Sequence, residues 1–269
     1  MGSLQVYELH VARGRNQHIL NGISLTIQEG EVVALLGANG AGKSTLLNAI
    51  AGEREHMHVQ EAQPVQLNQQ AVSSMDGREI ARRRAVLPQH TLLSFDLKVY
   101  DIIEMGLYPF PELTPQQVQA VIEQACQWAD VNEFLERSYQ RLSGGEKQRV
   151  QFARVVAQLL GCRAEDPQTR FFLLDEPTSS LDPKYQQFIL ERTEQLAKQQ
   201  RIGVLIILHD LNLAAAYCDR LALMADGQLL ALGQPKEVLT EANLHRLYGV
   251  RAITIDHPLK KDKLLVVWA

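Results

Sequence analysis

Residues 37–45 read Gly-Ala-Asn-Gly-Ala-Gly-Lys-Ser-Thr, which puts Gly37, Gly42, Lys43 and Ser44 at the spacing of a phosphate-cradling loop. Glycine is needed there because a Cβ would keep the backbone away from an anion. A helix that starts at such a loop offers free N–H groups and the positive end of its dipole to phosphate oxygens. Lys43 can reach the β- and γ-phosphates, and the Ser44 hydroxyl can ligate Mg²⁺. Asn39, Gly40 and Thr45 complete the candidate nucleotide-binding stretch. Three more polar residues follow apolar runs: Asp175 and Glu176 after Phe171–Leu174, and His209 after Val204–Leu208. In open α/β sheets ligands collect at those carboxyl ends of strands. An Asp-Glu pair straight after four apolar residues fits an ordinary surface position or helix cap poorly.

The surrounding elements are those the loop requires. Val32–Leu36 (V-V-A-L-L) is an unbroken apolar run, expected of a parallel strand buried on both faces. A helix from about Gly42 to Ala51 should end at Gly52 in a left-handed cap. Before the loop, Leu4–Val11 and the segment from Ile23 to Ile27 alternate and predict two half-exposed antiparallel strands. Leu142–Val150 (L-S-G-G-E-K-Q-R-V) predicts a second helix N-terminus, with Ser143 as cap and Glu146 at the third position, so Gly144 and Gly145 can also face an anion. Thr114-Pro115-Gln116-Gln117 is a helix start, followed by a core stripe of Val118, Val121, Ile122, Ala125 and Trp128. A helical subdomain is expected over about 99–140. Val86–Gln89 predicts a strand ended by Pro88, after which Gln89, Leu92, Leu93, Phe95 and Leu97 could face a partner. Arg82–Arg84 is expected on a solvated helix face. His56 and His58 lack a third ligand and are expected in an exposed loop.

Composition narrows the class. Lys plus Arg number 27 and Asp plus Glu 31, so the formal charge is −4 and gives no footprint for nucleic acid. Cys126, Cys162 and Cys218 suggest neither a disulfide framework nor a zinc site. No apolar run is long enough to span a bilayer, and no secretory signal segment is expected at the N-terminus. Met1-Gly2-Ser3 lacks the Ser or Thr needed for myristoylation and is left out of the expected fold.

With Gly37–Thr45, L-S-G-G-E at Leu142, F-F-L-L-D-E-P-T-S-S-L-D at Phe171 and L-H-D at Leu208, the chain resembles the ATP-binding subunit of ABC transporters over nearly its whole length. The L-S-G-G-E stretch is the specific part. The resemblance implies an α/β fold, a P-loop NTPase core of ABC type with an N-terminal antiparallel β subdomain and a helical subdomain, forming one nucleotide-binding domain over 1–269. It further implies ATP and Mg²⁺ as cofactors, with Ser44, Gln89 and Asp175 on the metal side. Glu176 would polarise the attacking water, Gln89 would touch the metal and that water and carry motion to the membrane partner, and His209 would hold the γ-phosphate. Ser143, Gly144 and Gly145 of one copy would face the nucleotide held by the other in a head-to-tail homodimer. Asp182 would cross that interface, or cap the next helix with Pro183 at its first position, and the two roles are compatible.

Among subfamilies, the loop, the D-L-N-L-A-A-A-Y-C-D after His209 and an insertion at Cys162–Arg170 look like importers of iron chelates, haem and cobalamin, the insertion pointing to the hemin importers. That implies an integral membrane permease, a periplasmic substrate-binding protein met indirectly, and a peripheral place on the cytoplasmic face of the inner membrane. The alternative is a soluble ABC ATPase of iron-sulfur cluster assembly. One departure stands out: members carry an aromatic residue before the loop that stacks on adenine, and none lies between Val11 and His18. Arg13 or Arg15 is the expected replacement, because a planar guanidinium can stack on a base.

Overall fold

An apolar run without alternation needs cover on both faces, and every residue of Val32–Gly37 is buried. In the computed structural model, which describes residues 2–13, 17–53, 58–59, 64–89, 95–179 and 181–268, this is the third strand. The chain opens with β1 (Ser3–Arg13) and β2 (Gln17–Gln28), then β3 (Val32–Gly37) and α1 (Lys43–Ile50). The short strands β4 (His58–Val59), β5 (Val65–Leu67) and β6 (Gln70–Ala71) join β1 and β2 in an antiparallel sheet of order β2-β1-β5-β6, with β4 also on β1. Next come α2 (Gly77–Arg83), β7 (Arg84–Leu87), α3 (Val99–Glu104), α4 (Pro115–Ala129) and α5 (Gly144–Leu160). The second half supplies β8 (Phe171–Leu174), α6 (Pro183–Gln200), β9 (Gly203–Ile207), α7 (Leu211–Tyr217), β10 (Arg220–Ala225) and β11 (Gln228–Gly233). The helices α8 (Pro235–Val238) and α9 (Glu241–Tyr248) and the hairpin of β12 (Ala252–Asp256) and β13 (Leu264–Trp268) complete it.

The main sheet runs β11-β10-β3-β9-β8-β7, parallel except for β11 at one edge. Strand alternation divides the core. Val33 and Leu35 face the antiparallel sheet and α1, joining Leu4, Val6, Ile23 and Leu46. Val32, Ala34 and Leu36 face the helices, joining Phe152, Val156 and Phe172. Phe152 of α5 tilts against Phe172 of β8 with centroids 5.9 Å apart. Truncating either ring to Ala would cost about 3–5 kcal/mol and loosen the helical layer from the sheet. That layer is α3 and α4 laid on α5, with Val99, Ile102, Ile122 and Ala125 in the same apolar cluster as Val150 and Ala153. The expected capping box of α4 is formed by Thr114 and Gln117, with Pro115 at the first position.

The structure corrects three expectations. His58 pairs with Ala12 in β4 and does not lie in a loop. Gly2 and Ser3 belong to the fold: Ser3 pairs with Gln28, and the Gly2 carbonyl accepts from Glu29 N at 3.1 Å. Arg82–Arg84 is not a solvated face, because α2 ends at Arg83 and the chain turns at once into a sheet-edge strand. Arg82 donates to Pro109 O at 2.9 Å and pairs with Glu112 at 2.7 Å, Arg83 pairs with Asp166 of the insertion, and Arg84 Nε is buried. His56, Leu92, Leu93 and Arg15 lie outside the described residues. Phe95 is exposed and Leu97 packs partly against the helical core.

Candidate nucleotide site

The loop after β3 is shaped by contact with its neighbours. A Cβ on Gly37 would come within 2.4 Å of Met224 O, and Gly42 holds φ at 98° with Leu20 Cδ2 only 2.8 Å from where a Cβ would stand. Only glycine fits either place. Gly42 is the N-cap of α1 and makes no side-chain cap, so the first N–H groups of that helix are left for another acceptor. Ala38, Asn39, Gly40 and Ser44 are exposed, and Thr45 is half-buried. Lys43 is buried, and its Nζ donates to Gly37 O at 2.9 Å and Ala38 O at 3.0 Å. Burial lowers its pKa, opposed by the charges of Glu176 and Asp175.

The carboxylates arrive from β8. Asp175 N donates to Leu87 O at 2.9 Å, which fixes the end of β8 against β7. Burial, and then the charge of Glu176, raises the Asp175 pKa, while a hydrogen bond from Ser44 lowers it. Asp175 Oδ1 is buried with no hydrogen-bond partner. Such an orphaned oxygen beside a serine hydroxyl is a fit for a hard cation, which takes oxygen ligands and commonly completes its shell with water and phosphate. No group of three or more potential metal ligands occurs among the described residues, so a cation here would depend on a phosphate as well.

Glu176 lies between two side chains from other strands. Its Oε2 accepts from Gln89 Nε2 at 2.6 Å, and its Oε1 is 2.6 Å from His209 Nε2. Gln89 follows β7 and His209 follows β9, so three neighbouring strand ends converge on one carboxylate. Glu176 itself holds φ at 49°, an unfavourable conformation for a residue with a Cβ, and its carbonyl accepts from Ser179 N at 3.1 Å and Ser179 Oγ at 2.9 Å. The sequence pointed to all three residues but not to this mutual contact.

The second helix terminus is built differently. Ser143 Oγ accepts from Glu146 N at 3.4 Å and Glu146 Oε2 accepts from Ser143 N at 2.7 Å, the expected capping box. Gly144 and Gly145 line a cavity of about 250 Å³ shared with Gln89, Tyr139 and Ser179. Tyr139 was not foreseen there. Its hydroxyl accepts from Gln151 Nε2 at 3.0 Å. Asp182 is exposed and caps α6 by accepting from Tyr185 N at 3.1 Å. Among the described residues, no hydrogen bond or ion pair joins Ser143–Gly145 or Asp182 to residues 37–45.

Arg13 is exposed at the end of β1, opposite Gln17. Ile19, two residues further along β2, has its carbonyl 3.3 Å from the Cβ position of Gly42, so this end of the hairpin overhangs the loop. Tyr7 is 49% exposed but sits beyond the pair Leu9↔Ile23, towards the far end of the hairpin, where it bonds Gln5. A groove of about 390 Å³ beside His209 is lined by Tyr248 and Trp268, whose rings meet edge to face at 5.5 Å. Its C-terminal strand was legible as the apolar L-L-V-V-W, although nothing local ties that stretch to His209.

Comparison with known proteins places this geometry. The family described as ABC transporter matches residues 20–179. The chain is 49% identical over 265 residues to the hemin import ATP-binding protein HmuV of Bordetella parapertussis, covering 98% of this chain and 99% of that one. It is similar in fold to a metal-chelate type ABC transporter solved in an inward-facing conformation, with a TM-score of 0.79 and 24% identity over 100% of this chain and 97% of the other. A bacterial ABC transporter cassette solved as a dimer superposes with a TM-score of 0.72 at 23% identity, covering 86% of this chain and 98% of that one.

Proposed function

Because the chain belongs to the ABC transporter family and is an ATPase, we propose that it hydrolyses ATP as a head-to-tail homodimer to drive import of haem or another iron chelate through a membrane permease. The observation that carries the hydrolytic site is the Glu176 carboxylate, held by Gln89 and His209 at 2.6 Å each beside the orphaned oxygen of Asp175. Lys43 and the N–H groups at the start of α1 bind the phosphates, and Asn39, Gly40 and Thr45 border them. A nucleotide draws the Lys43 ammonium off the carbonyls of Gly37 and Ala38, so the loop exchanges internal hydrogen bonds for phosphate ones. Ser44, Asp175 and Gln89 are the residues that would hold Mg²⁺, which supplies charge neutralisation on the phosphoryl oxygens. Glu176 orients the attacking water, and its two partners fix which way its oxygens point. Positioning and electrostatics of this kind are the main contributions a protein makes to phosphoryl transfer.

The second half of each site comes from the other copy. Among the described residues, Ser143, Gly144 and Gly145 make no hydrogen bond or ion pair with the loop of their own chain but sit at a helix N-terminus suited to phosphate, and Asp182 stands exposed. We read 1–269 as one nucleotide-binding domain with a helical subdomain at about 99–140. Haem is inferred from the hemin import ATP-binding protein that is 49% identical over almost the full length of both chains. The permease carries the substrate, a periplasmic binding protein delivers it, and this subunit lies peripherally on the cytoplasmic face of the inner membrane. No helix among the described residues is long and apolar enough to cross a membrane.

Co-purification tests the assignment. A multispanning permease and ATP-dependent haem uptake in reconstituted vesicles are the expected results. Recovery with cytosolic iron-sulfur scaffold proteins and no permease would overturn it.

A further inference from the structure

The turn that carries His209 runs straight into α7, and the last two strands of the chain are fastened to that helix. Asn212 makes the fastening. Its Oδ1 accepts from Val266 N at 2.6 Å and its Nδ2 donates to Val266 O at 3.3 Å, so one side-chain amide takes both backbone groups of a single residue in β13. On the reading that His209 and Glu176 act together in hydrolysis, we propose that Asn212 is a positioning residue, which straps α7 to the C-terminal hairpin and so holds the turn bearing His209 against Glu176.

A two-stranded hairpin is marginal by itself in water. Here Ala252, Leu264 and Val266 are buried in the same apolar cluster as Leu211, Ala214 and Tyr217 of α7. Apolar contact is non-directional, so it holds the hairpin to the helix without fixing where along it the strand lies. The two opposed bonds from Asn212 fix that register, as a neighbouring strand would. The far end is held separately. His257 Nδ1 accepts from Leu259 N and Lys260 N at 3.1 Å each, and the turn so formed places Lys260 Nζ 3.7 Å from the centroid of the Tyr217 ring at the end of α7.

From Asn212 the constraint passes to His209 through Asp210. Its Oδ1 accepts from Asn212 N at 2.7 Å and Leu213 N at 3.1 Å, closing the turn between His209 and the helix. On the other side Leu208 N donates to Leu35 O at 3.3 Å. His209 is thus held between a strand end and a helix start, and the hairpin grips the helix start. The grip matters because the His209 side chain is 47% exposed, and the groove of about 390 Å³ beside it gives the ring room to swing away from Glu176. Tyr248 and Trp268 line the same groove, so the register of β13 also sets its width.

The test is steady-state ATPase kinetics on the full chain, with hydrogen exchange of segments 209–214 and 264–268. Asn212→Ala removes both bonds, while Asn212→Asp keeps the acceptor for Val266 N at unchanged size. Asn212→Ala should lower kcat about tenfold or more with KM for ATP within about twofold, because a displaced catalytic group loses turnover before binding. Exchange should quicken in both segments. Asn212→Asp should lower kcat about threefold and fall between the two in exchange, a graded rescue that lost packing alone would not give. Wild-type kcat in Asn212→Ala with faster exchange at 264–268 would overturn the inference, since the hairpin would then be loose without consequence. So would a raised KM at unchanged kcat, or a loss of kcat while 209–214 exchanges as in wild type. If Asn212→Ala does not fold, Asn212→Asp decides, and wild-type kcat in it overturns the inference. His209→Ala, run in parallel, separates the two claims. Wild-type turnover there would remove His209 from hydrolysis altogether, whereas an inactive His209→Ala beside a fully active Asn212→Ala overturns the strap alone.

Discussion

Two helix N-termini in this chain are both suited to phosphate, and they are finished in opposite ways. The start of α1 has no side-chain cap, and near it Gln89 and His209 both meet Glu176 while Lys43 bonds the carbonyls of Gly37 and Ala38. The start of α5 is closed on itself by Ser143 and Glu146, and Asp182 likewise closes α6, with no bond from either to the loop among the described residues. The first region is an assembled half-site whose geometry comes from strand register. The second is a self-sufficient surface that needs only a phosphate brought to it. On the proposed function, the difference accounts for one chain holding a nucleotide yet needing a second copy to complete the site.

The largest expected effect breaks the first region at one atom. Glu176→Gln retains the hydrogen-bonding shape but loses the charge that orients water, so turnover should fall by about 10²-fold or more while ATP affinity stays within a few-fold. An ATP-bound dimer should accumulate and be visible by size-exclusion chromatography. Turnover near the wild-type rate would remove Glu176 from this role.

The next effect tests the division itself. Lys43→Ala and Ser143→Arg should each be inactive alone, the first for want of nucleotide binding and the second for want of closure. Mixed one to one, they should regain up to about a quarter of wild-type ATPase activity, because a head-to-tail heterodimer contains one site with both intact halves. If the mixture stays inactive while both variants still dimerise with each other, the halves do not come from different copies.

Legibility in the sequence followed the same division. Gly37–Thr45, the buried β3 and the caps at Thr114, Ser143 and Asp182 were readable because spacing within a few residues determines them. The convergence on Glu176 was not, since Gln89 is 87 positions away and meets it only because β7 pairs with β8 in a particular register. The same holds for Arg83, whose partner Asp166 lies in the insertion, and for Ser3, whose place depends on β2. The hairpin beside His209 escaped because nothing in the sequence of β12 and β13 says which helix they cover.

A smaller effect separates the regions by the sign of their response to acid. Asp175 has its pKa raised by burial and by Glu176, so its charge opposes folding above that pKa, and the penalty is relieved as pH falls through it. Glu146 has its pKa lowered by its bonds to Ser143, so its contribution is complete above the ordinary carboxylate pKa and is lost as pH falls through the depressed value. In chelator and without nucleotide, Asp175→Asn should therefore raise the melting temperature at neutral pH and flatten its gain on acidification. Glu146→Gln should lower it at neutral pH and converge with wild type in acid. Melting curves from pH 7 to pH 3 that move the same way in both variants would show that the two carboxylates do not differ in this respect.

The smallest effect concerns the rim of the assembled half-site. The β1–β2 hairpin overhangs the loop at Ile19, and exposed Arg13 lies at that end while Tyr7 lies towards the other. A guanidinium stacks on any base face, so it discriminates little between adenine and guanine, and a stacked base is worth on the order of 1–3 kcal/mol. Nucleotide affinity should therefore be similar for GTP and ATP, within a few-fold. Arg13→Ala should weaken both about fivefold or more, leave turnover at saturation unchanged and leave the melting temperature of the nucleotide-free protein unchanged, since Arg13 is exposed. Equilibrium titration of a fluorescent ATP analogue into Arg13→Ala, Arg15→Ala and Tyr7→Ala separates the candidates. Loss in the tyrosine variant alone would mean that the base lies along the hairpin and not at its end, and the assembled half-site would then extend to a residue that β-strand register places far from the loop.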